Sequence, residues 1–188
     1  MSQLDDVLGA IDAANSGDPT LEEGGPAALL YGRRMSERLA RFAPGAGDLL
    51  QIAARGQHIE RWAIPRADYP MDKPGYFRWR NALKERHAQR LAEIMGAAGY
   101  PAEAAERVGQ IVRKERVKAD PEAQALEDVA CLVFLEFYSE PFLAKYDEAK
   151  CVDIVQKTWR KMSEKGRAAA LQLRLAPRVA KIVGKALG

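Results

Sequence analysis

Cysteine and histidine are scarce in this chain of 188 residues, with two of each. Cys131 and Cys151 are too few for a disulfide framework or a cysteine-built zinc site, and no CxxC pair is present. Cys131 falls in an apolar stretch, where a thiol packs rather than reacts. Both read as free thiols of a cytoplasmic protein. With only His58 and His87, a histidine-rich metal centre is excluded. A glycine-rich phosphate loop, GxSxG and HExxH are also missing. No apolar run reaches the roughly 18 residues of a spanning helix, and the first residues lack the basic start and apolar core of a signal peptide. A cytoplasmic location without membrane contact is therefore expected. No long run alternates with period two, so essentially no sheet is expected.

The composition is that of a folded, water-exposed chain: 47% hydrophobic and 29% charged. Apolar residues recur at helical spacing along most of its length, which predicts an all-α fold. Leu4, Val7, Leu8 and Ile11 mark a helix over 3–14. Residues 20–26 read as a loop, and Leu29, Leu30, Met35, Leu39 and Phe42 mark a second helix over 27–42. The third, over 48–62 with Asp48 as its cap, carries Leu49, Ile52, Ala53, Gly56 and Ile59 on one face. Residues 63–75 hold three prolines and predict a long irregular loop. Helices follow over 76–98, with Leu83, His87, Leu91, Ile94 and Met95 inward, and over 102–116. The sequence Asp120-Pro121-Glu122 reads as a cap, a first-turn proline and a first-turn acid opening the most apolar helix, 121–138. A further helix includes 145–162, and a last helical segment after Gly166 is interrupted at Pro177. The expected organisation is a helical domain over 1–165 and a basic helical tail over 166–188.

Charge is unevenly spread within a net +3. From Lys150 onward there are ten Lys and Arg against Asp153 and Glu164. Such a segment suits a phosphate or nucleic-acid partner, RNA included, or simply forms a solvated basic face.

Polar residues also occur where a core is expected. Gln57-His58 lies among Ile52, Ala53 and Ile59, and Glu127-Asp128 precedes the run VACLVFL. A carboxylate in such a helix must be paired, hydrogen-bonded, metal-bound or at the helix's polar edge. Around the proline loop, Arg61, Arg66, Arg78 and Arg80 alternate with Trp62, Tyr69, Tyr76 and Trp79. Guanidinium forks beside aromatic rings suit a phosphate attached to a ring, and they equally suit the packing of a loop. Singly, His58 is as well explained as a hydrogen-bonded core histidine, and either acid as a salt-bridge partner.

The strings IAARGQHIERWAIPRADYP, GYFRWRNALKERHA, LEDVACLVFLE and KTWRKMSEKGRAAAL, with DAANSGDP near the start, resemble the domain of unknown function family numbered 4202. The resemblance covers about residues 3–172 and implies an all-helical protein. A more distant one is to the HD superfamily of metal-dependent phosphohydrolases. Gln57-His58-Ile59 falls where that superfamily has His-Asp, Trp79 to His87 lies in its following helix, and Leu126 to Ala130 stands where its last metal-binding Asp lies. This chain departs from the pattern at Ile59, in place of the Asp, and at Gly32, Arg33 and Arg34, where the upstream His is expected.

The resemblance implies an HD-like helical domain with one divalent metal ion on His58, His87 and Asp128. In that reading His58, Glu127 and Asp128 are the catalytic groups of a phosphohydrolase or related phosphoester enzyme. Gln57, Arg61, Arg66, Tyr69, Trp79 and Arg80 would hold a nucleotide-like, phosphate-containing small molecule. The alternative is a non-catalytic nucleotide- or RNA-binding helical module. Both expect His58, Arg61, Arg80, His87, Glu127 and Asp128 to line one cleft under the loop 63–75.

Overall fold

Ser2 starts the first helix. Its hydroxyl accepts the Asp5 N–H while the Asp5 carboxylate accepts the Ser2 N–H, a reciprocal cap that opens α1 (Gln3–Asn15). The computed structural model describes residues 2–188 and is all-α apart from one two-stranded hairpin. By the packing of its chain it forms two units, Met1–Leu126 and Glu127–Gly188.

In the first unit, α1 is followed by β1 (Leu21–Glu22) and β2 (Gly25–Pro26), antiparallel, with Leu21 opposite Pro26 and Glu22 opposite Gly25. A plain loop was expected there. Two things make it a hairpin. The buried Asp18 carboxylate accepts the N–H groups of Thr20 and Ala28, and Glu23 and Gly24 both take positive φ, the backbone of a tight hairpin turn. Arg34 of α2 (Ala27–Phe42) is buried and pairs with Glu22 and Glu23, both at 2.6 Å, fastening the hairpin to its helix.

The core of this unit lies among α1, α2, α3 (Asp48–Gly56), α4 (Lys73–Ala97) and α5 (Ala102–Arg113), with α4 against α5 as its most extensive pairing. Val7, Ile11, Met35, Leu39, Ile52, Ala53, Leu91, Met95, Val108 and Ile111 are buried, and the expected inward face of α4 is realised at Leu83, His87, Leu91, Ile94 and Met95. Helices α2 and α3 approach so closely that a Cβ on Gly32 would stand 2.8 Å from the Arg55 carbonyl oxygen.

Three boundaries differ from expectation. The third helix stops at Gly56 instead of running to residue 62. There the Glu60 N–H bonds to the side-chain oxygen of Asn15, leaving the helical ladder, and Glu60 turns into the left-handed region. Gly47 rather than Asp48 is its cap residue. The proline loop is shorter than read and holds two 3-10 turns, Arg61–Ala63 and Arg66–Asp68. Asp72 then caps α4 by accepting the Gly75 N–H, so Pro74 sits in the first turn, where its missing N–H costs nothing.

The second unit begins within α6 (Pro121–Val133), whose start Asp120 caps as expected through the N–H groups of Glu122 and Ala123. The expected helix to residue 138 changes at Phe134–Tyr138 into a π-helical turn, followed by α7 (Ser139–Leu143). Then come α8 (Glu148–Lys161), α9 (Glu164–Ala170) and α10 (Pro177–Leu187). Pro177 starts α10 instead of breaking it. Leu143, Cys151, Val155, Val179, Ile182 and Val183 form this unit's core, and both cysteines are buried free thiols. Among the described residues no helix is long and apolar enough to cross a membrane.

The close approach at Gly32 gives a direct test. Gly32→Ala drives a methyl group into a backbone carbonyl that cannot rotate away, so it is expected to destabilise the protein by about 1–3 kcal/mol. A fall in the urea midpoint with helical circular dichroism retained is the expected measurement.

Candidate functional site

The turn that ends α3 carries the most unusual side chains of the first unit. Gln57 is 5% exposed and Ile59 is fully buried. The Glu60 carboxylate is held by Arg86 at 3.0 Å and Arg90 at 3.3 Å, both from α4. Between them His58 stacks on Tyr31 of α2, with ring centroids 4.2 Å apart and planes 14° from parallel. The Gln57 amide donates to the Tyr31 hydroxyl at 2.7 Å. His87, 3% exposed on α4, brings its ring to 6.1 Å from that of His58.

Arg61 closes the cluster. Its Nη1 lies 3.2 Å from His58 Nε2, and its guanidinium sits 5.0 Å from the centre of the Trp79 ring. A guanidinium can only donate, so Nε2 accepts and the proton of a neutral imidazole resides on Nδ1. The electrostatics agree. Loss of solvent, then the charges of Arg61, His87, Lys114 and Arg80, hold the His58 pKa well below the ordinary histidine value. Burial likewise brings His87 down to about 4, against a smaller opposing effect of the Ile59 backbone. Burial also lowers Arg61 from its ordinary value.

Helix α4 places Tyr76, Trp79 and Arg80 about two to three turns before His87, on neighbouring positions of its surface. Trp79 donates its indole N–H to the Ile64 carbonyl at 2.9 Å and so ties down the proline loop. Arg66 reaches back from that loop to the carbonyls of Tyr69 and Pro70, at 3.0 and 2.8 Å, with its guanidinium 5.9 Å from the Tyr76 and Trp79 rings. Arg80 lies 5.7 Å from the Tyr76 ring. Tyr69 contributes its carbonyl only, and Arg78 is exposed outside the cluster.

Charge pairing sets this cluster apart. Elsewhere in the unit Arg33, Arg34, Arg55, Arg86, Arg90, Arg107 and Arg113 each have a carboxylate within 4 Å. Among the described residues Arg61, Arg66 and Arg80 have none, as do the exposed Arg41, Arg78 and Arg116. Two buried polar atoms beside the rings, Gln57 Oε1 and His87 Nδ1, also lack a hydrogen-bond partner. The result is a desolvated, electropositive site lined by rings.

The sequence led to the expectation that His58, Arg61, Arg80, His87, Glu127 and Asp128 line one cleft, with Gln57, Arg66, Tyr69 and Trp79 beside the ligand. In the structure His58 lies near Arg61 and His87, Arg61 and Arg66 lie beside the Trp79 ring, and Arg80 lies beside Tyr76. The sequence put Gln57 and His58 inside the third helix, whereas they lie in the turn beyond Gly56, because Glu60 leaves the ladder. Tyr31 and the Asn15–Glu60 contact were not anticipated. Nothing in the spacing of α2 singles out Tyr31 from its other partly buried residues.

Glu127 and Asp128 belong to the second unit, and both are buried. Asp128 Oδ1 accepts the Ser163 N–H at 2.8 Å and Oδ2 accepts the Ser163 hydroxyl at 2.5 Å. Ser163 in turn caps α9 by accepting the Gly166 N–H. Asp128 thereby anchors a helix start. Among the described residues no three His, Cys, Asp or Glu side chains gather as a metal-binding group. Around His58 and His87 the neighbouring charges are cationic, and Arg61 engages the Nε2 lone pair of His58. This surrounding fits an anion better than a divalent cation.

The buried His87 makes stability depend on pH. Its folded pKa of about 4 lies below the roughly 6.5 of an unfolded chain, so the unfolded state takes up the proton first. The stability it leaves intact above pH 6.5 is lost as pH falls toward 4, by about 2 kcal/mol between pH 7 and 5. His58 acts in the same direction. Urea titrations at the two pH values are expected to show this loss, and to show less of it in His87→Gln.

No curated protein and no solved structure matches the chain. The sequence profile of one family does match, over residues 5–183, nearly the whole length. The chain belongs to the domain of unknown function family DUF4202.

Proposed function

We propose that the first unit binds a phosphorylated, ring-bearing small molecule of the nucleotide class at the cluster of His58, Arg61, Trp79 and Arg80. One observation carries the reading: Arg61 is half-buried between an imidazole and an indole, and among the described residues it has no carboxylate to balance it. A partly buried cation without a counter-charge costs stability, and a phosphate supplies both the missing charge and a match to the guanidinium fork. Tyr76, exposed beside the buried Trp79, offers a face for the ring of such a ligand. Gln57 Oε1 and His87 Nδ1 offer unused hydrogen-bonding capacity beside it. The HD-like order of the segments around His58 and His87 supports the same ligand class, a phosphate ester, by analogy of fold.

As a binding module, the site works through charge and stacking. Neutral His58 leaves Arg61 free to swing from Nε2 to a phosphate oxygen without breaking an ion pair. Arg80, which makes no ion pair, adds a second cation.

Thermal melts with inorganic phosphate and with adenosine and guanosine monophosphates test the proposal. Ligand at about 100 times its Kd is expected to stabilise the fold by about 2.7 kcal/mol. Arg61→Gln is expected to remove that gain while melting no lower than the parent, since it deletes an unbalanced charge. No shift with any of the three would overturn the proposal. Phosphate release from the monophosphates on adding manganese or magnesium would instead favour phosphoester hydrolysis.

A further inference from the structure

The second unit holds a concentration of rings that the site in the first unit does not use. Five of the chain's aromatic residues lie within residues 134–146: Phe134, Phe137, Tyr138, Phe142 and Tyr146. Phe142 is the middle of a row, 5.6 Å from Phe134 edge-on and 5.4 Å from Tyr146. Phe137, Phe142 and Tyr146 are 39%, 38% and 39% exposed, so three large rings present substantial area to water in one short stretch. The row starts in the π-helical turn Phe134–Tyr138, a rare conformation that is frequent at functional sites.

Cations stand beside the rings. Helix α10 packs on α7 and α8 and contains Arg178, Lys181 and Lys185 but no acidic residue. Arg178 donates to the Leu143 carbonyl at 3.2 Å, the same carbonyl that accepts the Tyr146 N–H, which fixes a guanidinium at the turn joining Phe142 to Tyr146. Lys185 pairs with Glu148, and Lys181 acts on the same carboxylate, so one acid faces two lysines. Lys145 is exposed next to Tyr146 without an ion pair. The carboxylates nearby are Glu136, half-buried within the π-helical turn, Glu140, exposed on α7, and Asp147, which caps α8 through the Lys150 N–H.

We propose that this face binds single-stranded nucleic acid, with bases stacking on Phe142 and Tyr146 and phosphates meeting Arg178, Lys181 and Lys145. Rings exposed to water accept any base, and cations beside them follow the backbone, which is the design of sequence-tolerant single-strand binding. An acidic peptide would use the cations and leave the rings in water. A duplex keeps its bases stacked on one another and likewise leaves the rings unused. The inference is independent of the anion site in the first unit.

Anisotropy of labelled 12-nucleotide oligouridylate and oligothymidylate on the full chain tests it, with a duplex of the same length and polyglutamate as competitors. Both single strands are expected to bind, and to weaken several-fold between about 50 and 200 mM salt. Phe142→Ala and Tyr146→Ala are each expected to weaken binding about tenfold. Tyr146→Leu keeps the apolar bulk and is expected to weaken it nearly as much, which guards against a folding defect. Arg178→Glu is expected to weaken binding and flatten the salt dependence. Ring variants that melt like the parent and bind the strands as well as it does would overturn the proposal. So would a duplex or polyglutamate that competes as well as single strands.

Discussion

The first unit turns on Glu60. Its N–H is taken by the side chain of Asn15 at the end of α1, and its carboxylate is taken by Arg86 and Arg90 on α4. Two segments distant in sequence are thereby pinned to one residue, which adopts left-handed backbone although it is not glycine. Such a conformation costs about 1–3 kcal/mol and persists only where the surroundings hold it. Here two guanidinium groups and an amide do so. The consequence is local and chemical: the chain, already past the end of α3 at Gly56, turns sharply two residues after His58, and Arg61 comes back over the imidazole.

The distribution of charge has the same logic. Most arginines of this unit are spent on structure, fastening the hairpin, the start of α6 or the α4–α5 pair to a carboxylate. Those around His58 are held instead by rings and backbone carbonyls, which position a guanidinium without neutralising it. Arg66 shows the difference clearly. Its Nη1 donates to the carbonyls of Tyr69 and Pro70 and its Nη2 to that of Asp72, so the planar guanidinium is held on both arms without a counter-charge. An electropositive surface is thus maintained inside a unit whose other charges are largely matched.

Helices were legible in the sequence wherever one apolar face ran unbroken. Val7 and Ile11, Met35 and Leu39, or Leu83 to Met95 gave both the element and its inward side. Boundaries were less legible, because they depend on contacts between distant residues. Nothing near Gly56 announces the end of α3, since the cause is Asn15, and Pro177 looks like a breaker until its place in the first turn is seen. The arginine–aromatic alternation and the paired polar residues at 57–58 are the sequence signals that fall at this cluster. Tyr31 carried no such mark, because a lone tyrosine on a helix looks the same whether it faces water or an imidazole. For Asp128, the burial was readable from its apolar neighbours, but its partner Ser163 lies 35 residues away.

The π-helical turn at Phe134–Tyr138 also changes how the following chain is phased. A π turn accommodates one residue more than an α turn, so everything after it is rotated by roughly 100° relative to an uninterrupted helix. The side of the helix on which Phe137 and Phe142 emerge is therefore set by an inserted residue rather than by the apolar repeat of α6. Deleting one residue from this turn would restore the α phase and carry α7 round its axis. The ring row would then be dispersed although no ring had been removed.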